Sequence, residues 1–211
     1  MNLSESKPRL KHGRVISPPS RSAIATDLGL ILDWHSDEME GGKNFPSLTA
    51  GPFRKPYETD NVSLVPPADG YILSGGKTDA RDCVNFTDEE MSQKLNRPFN
   101  WPLLDVDAGQ VFHVKWDYST PHPTRGYSWF ITNDGWDPQQ RISRAQLEPN
   151  SFYDDFYTQV PFYDHTAELK AKIEHEVTLP LGKKGHHVIV LLWIVADTGN
   201  AFYQAFDVNF K

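Results

Sequence analysis

Residues 186–210 read HHVIVLLWIVADTGNAFYQAFDVNF, two long apolar runs joined by the turn DTGN. The first run does not alternate between apolar and polar residues, which is typical of a central strand covered on both faces. The second has a period of two that places four apolar side chains on one face: Phe202, Phe206, Val208 and Phe210. The stretch therefore predicts two long strands of a buried sheet. It does not predict a membrane-spanning helix, because its apolar run is far shorter than the roughly 20 residues that span a bilayer.

Two further segments rich in aromatic and β-branched residues predict strands earlier in the chain. They are VFHVKWDY, residues 111–118, and YSWFIT, residues 127–132. The intervening STPHPTRG contains proline and glycine, so we expect a hairpin-like pair with a loop. Together the predicted strands indicate an all-β fold, a β-sandwich.

Residues 26–105 differ from the strand segments because they are rich in Gly, Pro and Asp. One helix is predicted at TDEEMSQKLNR, where Thr87 and Glu90 form a capping box. A structureless stretch longer than about 15 residues in a compact domain is usually functional. We therefore predict a long loop-and-short-helix insertion between the first strands, carrying a functional surface.

Composition limits the domain count and the partners. The 211 residues suffice for one well-packed domain, and 28 acidic against 21 basic residues give a net charge of −7. Nucleic acid is a poor partner for such a chain, since that binding depends on neutralising phosphates with basic groups. We expect no membrane partner, and the single cysteine, Cys83, excludes an intramolecular disulfide.

The beginning of the chain leaves several possibilities open. Residues 1–11, MNLSESKPRLK, contain no apolar stretch like that of a secretory signal. They are a leader or extension to be removed, part of a longer precursor, or the true start of the protein. If the chain is cut after Lys11, His12 carries both a free amine and an imidazole, which together can chelate a metal. We predict a single domain over residues 12–211.

Several motifs occur in an order that resembles one enzyme family. They are HGRVISPPSR from His12, PPADGYILS near Asp69, STPHPTRGYSWFIT around His122, ITNDGWDPQQRISRAQ after Ile131 and ADTGNAFYQAFDV around Phe202. This set resembles the bacterial lytic polysaccharide monooxygenases of auxiliary activity family 10, formerly called family 33 chitin-binding proteins. The resemblance covers residues 12–211, with insertions between Gly51 and Asp105. It implies an immunoglobulin/fibronectin-III-like β-sandwich and a secreted, extracellular protein.

The resemblance implies one copper ion in a histidine brace. His12 matches the mature N-terminal histidine, which binds through its amine and ring, and His122 matches the second ligand. Nitrogen donors of these kinds suit copper and leave positions open for oxygen or peroxide. Phe202 matches an aromatic on one axial side of the metal, and Asp197 is expected to orient neighbouring groups, unless it only caps its turn. Thr120 departs from the family, where many relatives carry an alanine lining the open copper face.

Substrate binding is expected on the first loop. By its spacing to MEGGKNFP, residues 39–46, Trp34 matches the exposed aromatic that stacks on sugar rings in chitin-active relatives, although burial under its own loop is the alternative. Glu40 matches a polar neighbour on the same flat face. Without ligand spacing, four other histidines are expected on the surface: His165, His175, His186 and His187.

The implied activity is oxidative cleavage of crystalline polysaccharide, most simply chitin with C1 oxidation, with cellulose as the alternative. An external electron donor is required, and we expect a monomer. The competing interpretation is a non-catalytic chitin-binding module, which a retained extension before His12 favours. A zinc-dependent hydrolase is a remote third, since no ligand motif beyond the same histidines supports it.

Overall fold

The structure, a computed structural model, describes residues 12–53 and 57–211. Two sheets make up the protein, one with strand order β1-β4-β7 and one with order β2-β9-β8-β5-β6, to which β3 adds beside β9. The strands are β1 Gly13–Ser17, β2 Glu40–Gly42, β3 Leu104–Val106, β4 Val111–Tyr118, β5 Thr124–Ile131, β6 Tyr153–Phe156, β7 Glu174–Thr178, β8 Gly185–Val195 and β9 Asn200–Phe210. This is the predicted immunoglobulin/fibronectin-III-like β-sandwich.

The long strands β8 and β9 form the centre of the larger sheet, as the sequence predicted. They pair antiparallel from Gly185 opposite Phe210 to Ile194 opposite Ala201. One face of β8 packs into the core between the two sheets, with Trp193 and Ile189, and the other face packs under the long excursion. The absence of alternation in the β8 sequence follows from this burial on both faces.

The excursion between β1 and β4 contains more regular structure than the single predicted helix. In the described part of the excursion the helices are α1 Arg21–Asp27, α2 Asp33–Asp37 and α3 Asp88–Leu95, with a 3₁₀ turn at Ala80–Asn85. Two more 3₁₀ turns lie later in the chain, at Arg144–Gln146 and Phe162–Asp164. The predicted capping box of α3 is confirmed: Glu90 N donates to Thr87 Oγ1 and Thr87 N donates to the Glu90 carboxylate. None of the helices in residues 12–53 and 57–211 has the length and apolarity to cross a bilayer.

The predicted hairpin between residues 111–118 and 127–132 is wrong. β4 pairs with β1 and β7, whereas β5 pairs with β6 and β8 in the other sheet. The loop between β4 and β5 therefore crosses from one sheet to the other at one end of the sandwich. The turn between β8 and β9 lies at the same end, since Ala196 N donates to Pro123 O.

Candidate functional site

The backbone of His12 is fixed next to the loop that carries His122. His12 directly precedes β1, where Gly13 lies opposite Tyr118 of β4. The His12 carbonyl accepts hydrogen bonds from the Ser119 backbone N–H at 2.9 Å and from the Ser119 hydroxyl at 3.1 Å. Strand pairing thus brings together two segments that are more than a hundred residues apart in sequence.

The ring of His122 is oriented by a carboxylate. Its Nδ1 lies 2.8 Å from Asp197 Oδ1, and the side chain is only 9% exposed. Because a carboxylate only accepts hydrogen bonds, the neutral imidazole carries its proton on Nδ1, and the Nε2 lone pair is available to a metal. Asp197 therefore contacts His122 directly, as expected for a residue that orients a ligand.

Phe202 joins the two histidines. Its ring centroid lies 5.8 Å from that of His12 and 5.9 Å from that of His122. On β9 it is fully buried and stacks on Trp193 of β8 at 4.5 Å. The three residues predicted to form the catalytic centre are thus neighbours, and Phe202 is both a core residue and the apolar side of the site.

Carboxylates surround the ring of His12. Its Nδ1 lies 3.6 Å from Glu38 Oε1 and its Nε2 lies 4.0 Å from Glu40 Oε2. Asn200 Nδ2 donates to Glu40 Oε1 at 3.1 Å, which fixes that carboxylate. The negative charge favours a bound cation at this position. Glu40, predicted to bind substrate, therefore lies against a predicted metal ligand.

Trp34 is half exposed, which favours the predicted surface role over burial under its own loop. It lies on α2 and packs against His35, with ring centroids 3.8 Å apart. Arg14 of β1 ties this helix to the site, donating to the Asp33 carbonyl at 3.0 Å and lying 3.2 Å from the Asp37 carboxylate. Burial raises the pKa of Asp37, and the Arg14 charge opposes that rise.

The structure also places Thr120 and the histidines that were expected on the surface. The Thr120 hydroxyl donates to the carbonyl of the adjacent Ser119 at 2.8 Å, so its contacts are local. Two histidines expected on the surface are buried, which corrects that prediction: His175 lies 3.1 Å from the Lys172 carbonyl, and His187 lies 3.1 Å from the Thr132 carbonyl. Burial lowers the pKa of His175 to about 4.

Side chains alone do not complete a three-ligand metal site. Within residues 12–53 and 57–211, no three His, Cys, Asp or Glu side chains form a group that could hold a metal. His12 and His122 supply two imidazoles, so a third nitrogen must come from the backbone, and an amine at His12 would supply it. The predicted extension, residues 1–11, lies outside the described residues. The two-imidazole donor set fits copper once that amine exists.

Several contact residues of the site were not identified from sequence. Ser119 and Glu38 contact His12, but the sequence indicates only that both lie in loops. Their proximity to matched residues, Glu38 two positions before Glu40 and Ser119 three before His122, is the signal that was available. Asn61, which contacts the β8–β9 turn, has no comparable signal.

Comparison with known proteins identifies a matching family and a similar solved structure. Residues 12–208 match the family described as lytic polysaccharide mono-oxygenase, cellulose-degrading. A crystal structure of a chitin binding domain from Burkholderia pseudomallei superposes with a TM-score of 0.85 at 40% identity, covering 95% of this chain and 100% of that one.

Two curated relatives are similar in sequence over most of the chain. GlcNAc-binding protein A of Shewanella oneidensis is 31% identical over 95% of this chain, which spans 36% of that protein's length. A lytic chitin monooxygenase of Enterococcus faecalis is 29% identical, over 95% of this chain and 86% of its own length. The chain thus spans about a third of the length of the first relative and most of the second.

Proposed function

Because the chain belongs to the lytic polysaccharide monooxygenases of auxiliary activity family 10, we propose that it cleaves chitin oxidatively at C1 with one bound copper ion. The observation that carries this proposal is the convergence of the His12 and His122 rings on Phe202. The chitin-related names of relatives support the substrate, and cellulose is the alternative polymer. An external reductant, with peroxide or oxygen, completes the reaction.

The proposal requires a functional form that begins at His12. In that form the amine and ring of His12 and Nε2 of His122 would hold the copper, and residues 1–11 would have been removed. When bound, copper supplies the redox chemistry that removes hydrogen from the glycosidic carbon. An amine has an ordinary pKa of about 7.7 to 8.0, so it is available as a ligand near neutral pH.

The chain's own residues prepare the site for this chemistry. Asp197 keeps the proton of the His122 imidazole on Nδ1, so that Nε2 is directed to the ligand position. Phe202 presents an apolar ring to both histidines and excludes water from that side. Glu40, fixed by Asn200, adds negative charge beside His12, which favours retention of a cation.

Trp34 supplies the proposed contact with the polymer. Its half-exposed ring offers a large apolar surface with few rotatable bonds, suited to the C–H faces of sugar rings. Arg14 links α2 to β1, the strand that follows His12, by donating to the carbonyl of Asp33, the residue before Trp34. We therefore place substrate binding and the proposed copper site on one surface.

The test uses protein that begins at His12, loaded with copper and incubated with β-chitin, a reductant and peroxide. Mass spectrometry is expected to detect C1-oxidised oligosaccharides. His122→Ala is expected to weaken copper binding by more than the roughly 10- to 100-fold that loss of a ligand's hydrogen-bond partner costs, because it removes a ligand, and to abolish the products. His113→Ala, at an exposed histidine on β4, is the matched control and should behave as the unmodified protein.

A copper-loaded protein beginning at His12 that releases no oxidised products would contradict the enzymatic proposal. In that case the second candidate, a non-catalytic chitin-binding module, is favoured by the exposure of Trp34, which needs no metal. That candidate expects retention on chitin beads to be the same with and without copper.

A further inference from the structure

The turn that carries Asp197 is held by a neighbouring segment of the excursion, residues 60–64. Asn61 N donates to the Ala196 carbonyl at 3.0 Å, and Leu64 N donates to the Gly199 carbonyl at 2.9 Å. The segment therefore runs alongside the β8–β9 turn and bonds to it before and after Asp197. These bonds fix the path of the turn but do not contact the Asp197 residue itself.

The side chain of Asn61 makes that contact. Its amide Nδ2 donates to the Asp197 carbonyl, while the Asp197 carboxylate accepts from His122 Nδ1. Asn61 thus holds the backbone of Asp197, and the side chain of Asp197 holds the imidazole of His122. Rotation of the Asp197 backbone would move its carboxylate away from His122, and the Asn61 amide opposes that rotation.

Asn61 is itself attached to a rigid part of the fold. The preceding residue, Asp60, pairs with Arg125 through two hydrogen bonds of 2.8 and 2.9 Å, and both side chains are fully buried. Arg125 lies on β5, three residues after His122. Asn61 is therefore anchored to the strand that follows His122. The path from β5 to Asp197 consists of the Arg125–Asp60 hydrogen bonds, the peptide bond between Asp60 and Asn61, and the Asn61–Asp197 hydrogen bond.

We propose that Asn61 is a positioning residue for the copper site: by holding the Asp197 carbonyl, it keeps the carboxylate on His122 Nδ1 and so aims Nε2. This inference rests on the proposed function, since it takes His122 as the metal ligand. A hydrogen bond at an exposed position adds little net stability. The value of the Asn61 amide lies in the orientation of Asp197.

Two variants of Asn61 test the inference. Asn61→Ala removes the amide but leaves the backbone bond to Ala196, and Asn61→Asp keeps the size but replaces the donor with an acceptor. The control is Asn133→Ala, because the Asn133 amide donates to the Ala145 carbonyl at 2.8 Å beyond the opposite end of β5. All three variants lose one amide–carbonyl bond on the surface, and Asn133→Ala also loses the bond that Gly135 N donates to Asn133 Oδ1.

The first measurement is ¹⁵N NMR of the histidine rings in metal-free protein at about pH 8.5, two units above the ordinary imidazole pKa. Both Asn61 variants are expected to lose part of the Nδ1-protonated population of His122, whereas Asn133→Ala keeps it. The second is copper affinity of protein beginning at His12. Mutation of a residue that hydrogen-bonds a metal ligand lowers metal affinity about 10- to 100-fold. Mutation of Asn61, which is one bond further from the metal, should therefore lower copper affinity roughly 3- to 10-fold.

The inference is overturned if both Asn61 variants keep the His122 ring signals of the unmodified protein while their melting temperatures fall as in Asn133→Ala. The role of Asn61 would then be structural only. If the unmodified protein binds no copper, the proposed function fails, but the NMR comparison on metal-free protein still decides whether Asn61 positions His122.

Discussion

The two histidines of the site are held in different ways, although their rings lie at nearly equal distances from Phe202. The His122 ring has one short hydrogen bond, 2.8 Å to Asp197, and Asp197 is in turn fixed by Asn61. The ring of His12 has carboxylates at 3.6 and 4.0 Å, beyond ordinary hydrogen-bond length. Among the described residues, the hydrogen bonds that fix His12 are those that its backbone carbonyl accepts from Ser119.

The comparison shows that the fold itself orients the His122 ring, whereas the arrangement around the His12 ring is left for a bound ligand to complete. On the His122 side, buried groups and backbone bonds define one orientation of the imidazole before any metal binds. On the His12 side, the nearby groups are charged, partly exposed and suited to attracting a cation. We therefore expect stability effects to concentrate on the His122 side and ligand and substrate effects on the His12 side.

The largest effect is expected at the buried ion pair behind His122. Asp60→Ala leaves the fully buried Arg125 guanidinium without its carboxylate partner. Removing one partner of such a pair costs about 3–5 kcal/mol of folding free energy, because a buried charge is left uncompensated. Urea unfolding of the variant and of the unmodified protein measures the difference.

Two controls distinguish the lost charge balance from a general effect of mutation. Lys115→Ala breaks an exposed ion pair with Glu174 and should cost no more than about 0.5 kcal/mol. The double variant Asp60→Leu/Arg125→Met removes both charges and should recover most of the stability. A cost below about 1 kcal/mol for Asp60→Ala would show that the His122 side is not fixed by this pair.

The second prediction concerns Lys43, a fully buried lysine whose ammonium donates to the Val195 carbonyl at 2.7 Å. Burial lowers the pKa of Lys43 to about 8. Between that value and the ordinary lysine pKa of about 10.4, the unfolded chain binds more protons than the folded protein, so stability rises with pH. At 1.36 kcal/mol per pKa unit, the gain from pH 7.5 to 9.5 is about 2 kcal/mol.

Lys43→Met should remove that gain. Chemical denaturation at pH 7.5, 8.5 and 9.5 measures the free energy of unfolding of both proteins. The gain is the increase with pH of the difference between the unmodified protein and the variant. Lys115→Met, at an exposed lysine, should retain the pH dependence. Parallel pH profiles for the unmodified protein and Lys43→Met would mean that the Lys43 cation is adequately solvated, and the His122 side would be less dry than its burial indicates.

Much of the fold could be predicted because its signals are local. The apolar run of β8 and the Thr87 capping box depend on neighbouring residues, and both are confirmed. The β4–β5 hairpin was wrong because a Pro/Gly loop has the same composition whether it joins neighbours in one sheet or crosses between sheets. Period-two patterns identify strands but not their partners.

The candidate site was predictable only in part for a related reason. His12, His122 and Phe202 were identified through motifs, and the structure brings them together. Asp60 and Asn61 had no such signal, since their partners Arg125 and Asp197 lie 65 and 136 residues away. Long-range polar contacts of this kind leave no periodicity in the sequence. The same holds for His187, whose partner Thr132 lies 55 residues away, and for the packing of His175 on Tyr127 of another strand.

The smallest of these effects is expected on the His12 side, at Trp34. Trp34→Ala removes a half-exposed ring that contacts His35 and supports little of the core, so the variant should fold normally. Retention on β-chitin is expected to weaken about tenfold, which corresponds to about 1.4 kcal/mol.

Tyr153→Ala, at a partly exposed aromatic on the edge strand β6, is the control and should not change retention. Depletion assays on copper-free protein measure both, since binding through an aromatic ring needs no metal. Equal retention of Trp34→Ala and the unmodified protein would remove the substrate role from α2, and the His12 side would then contribute the proposed copper ligands and the negative charge of Glu38 and Glu40.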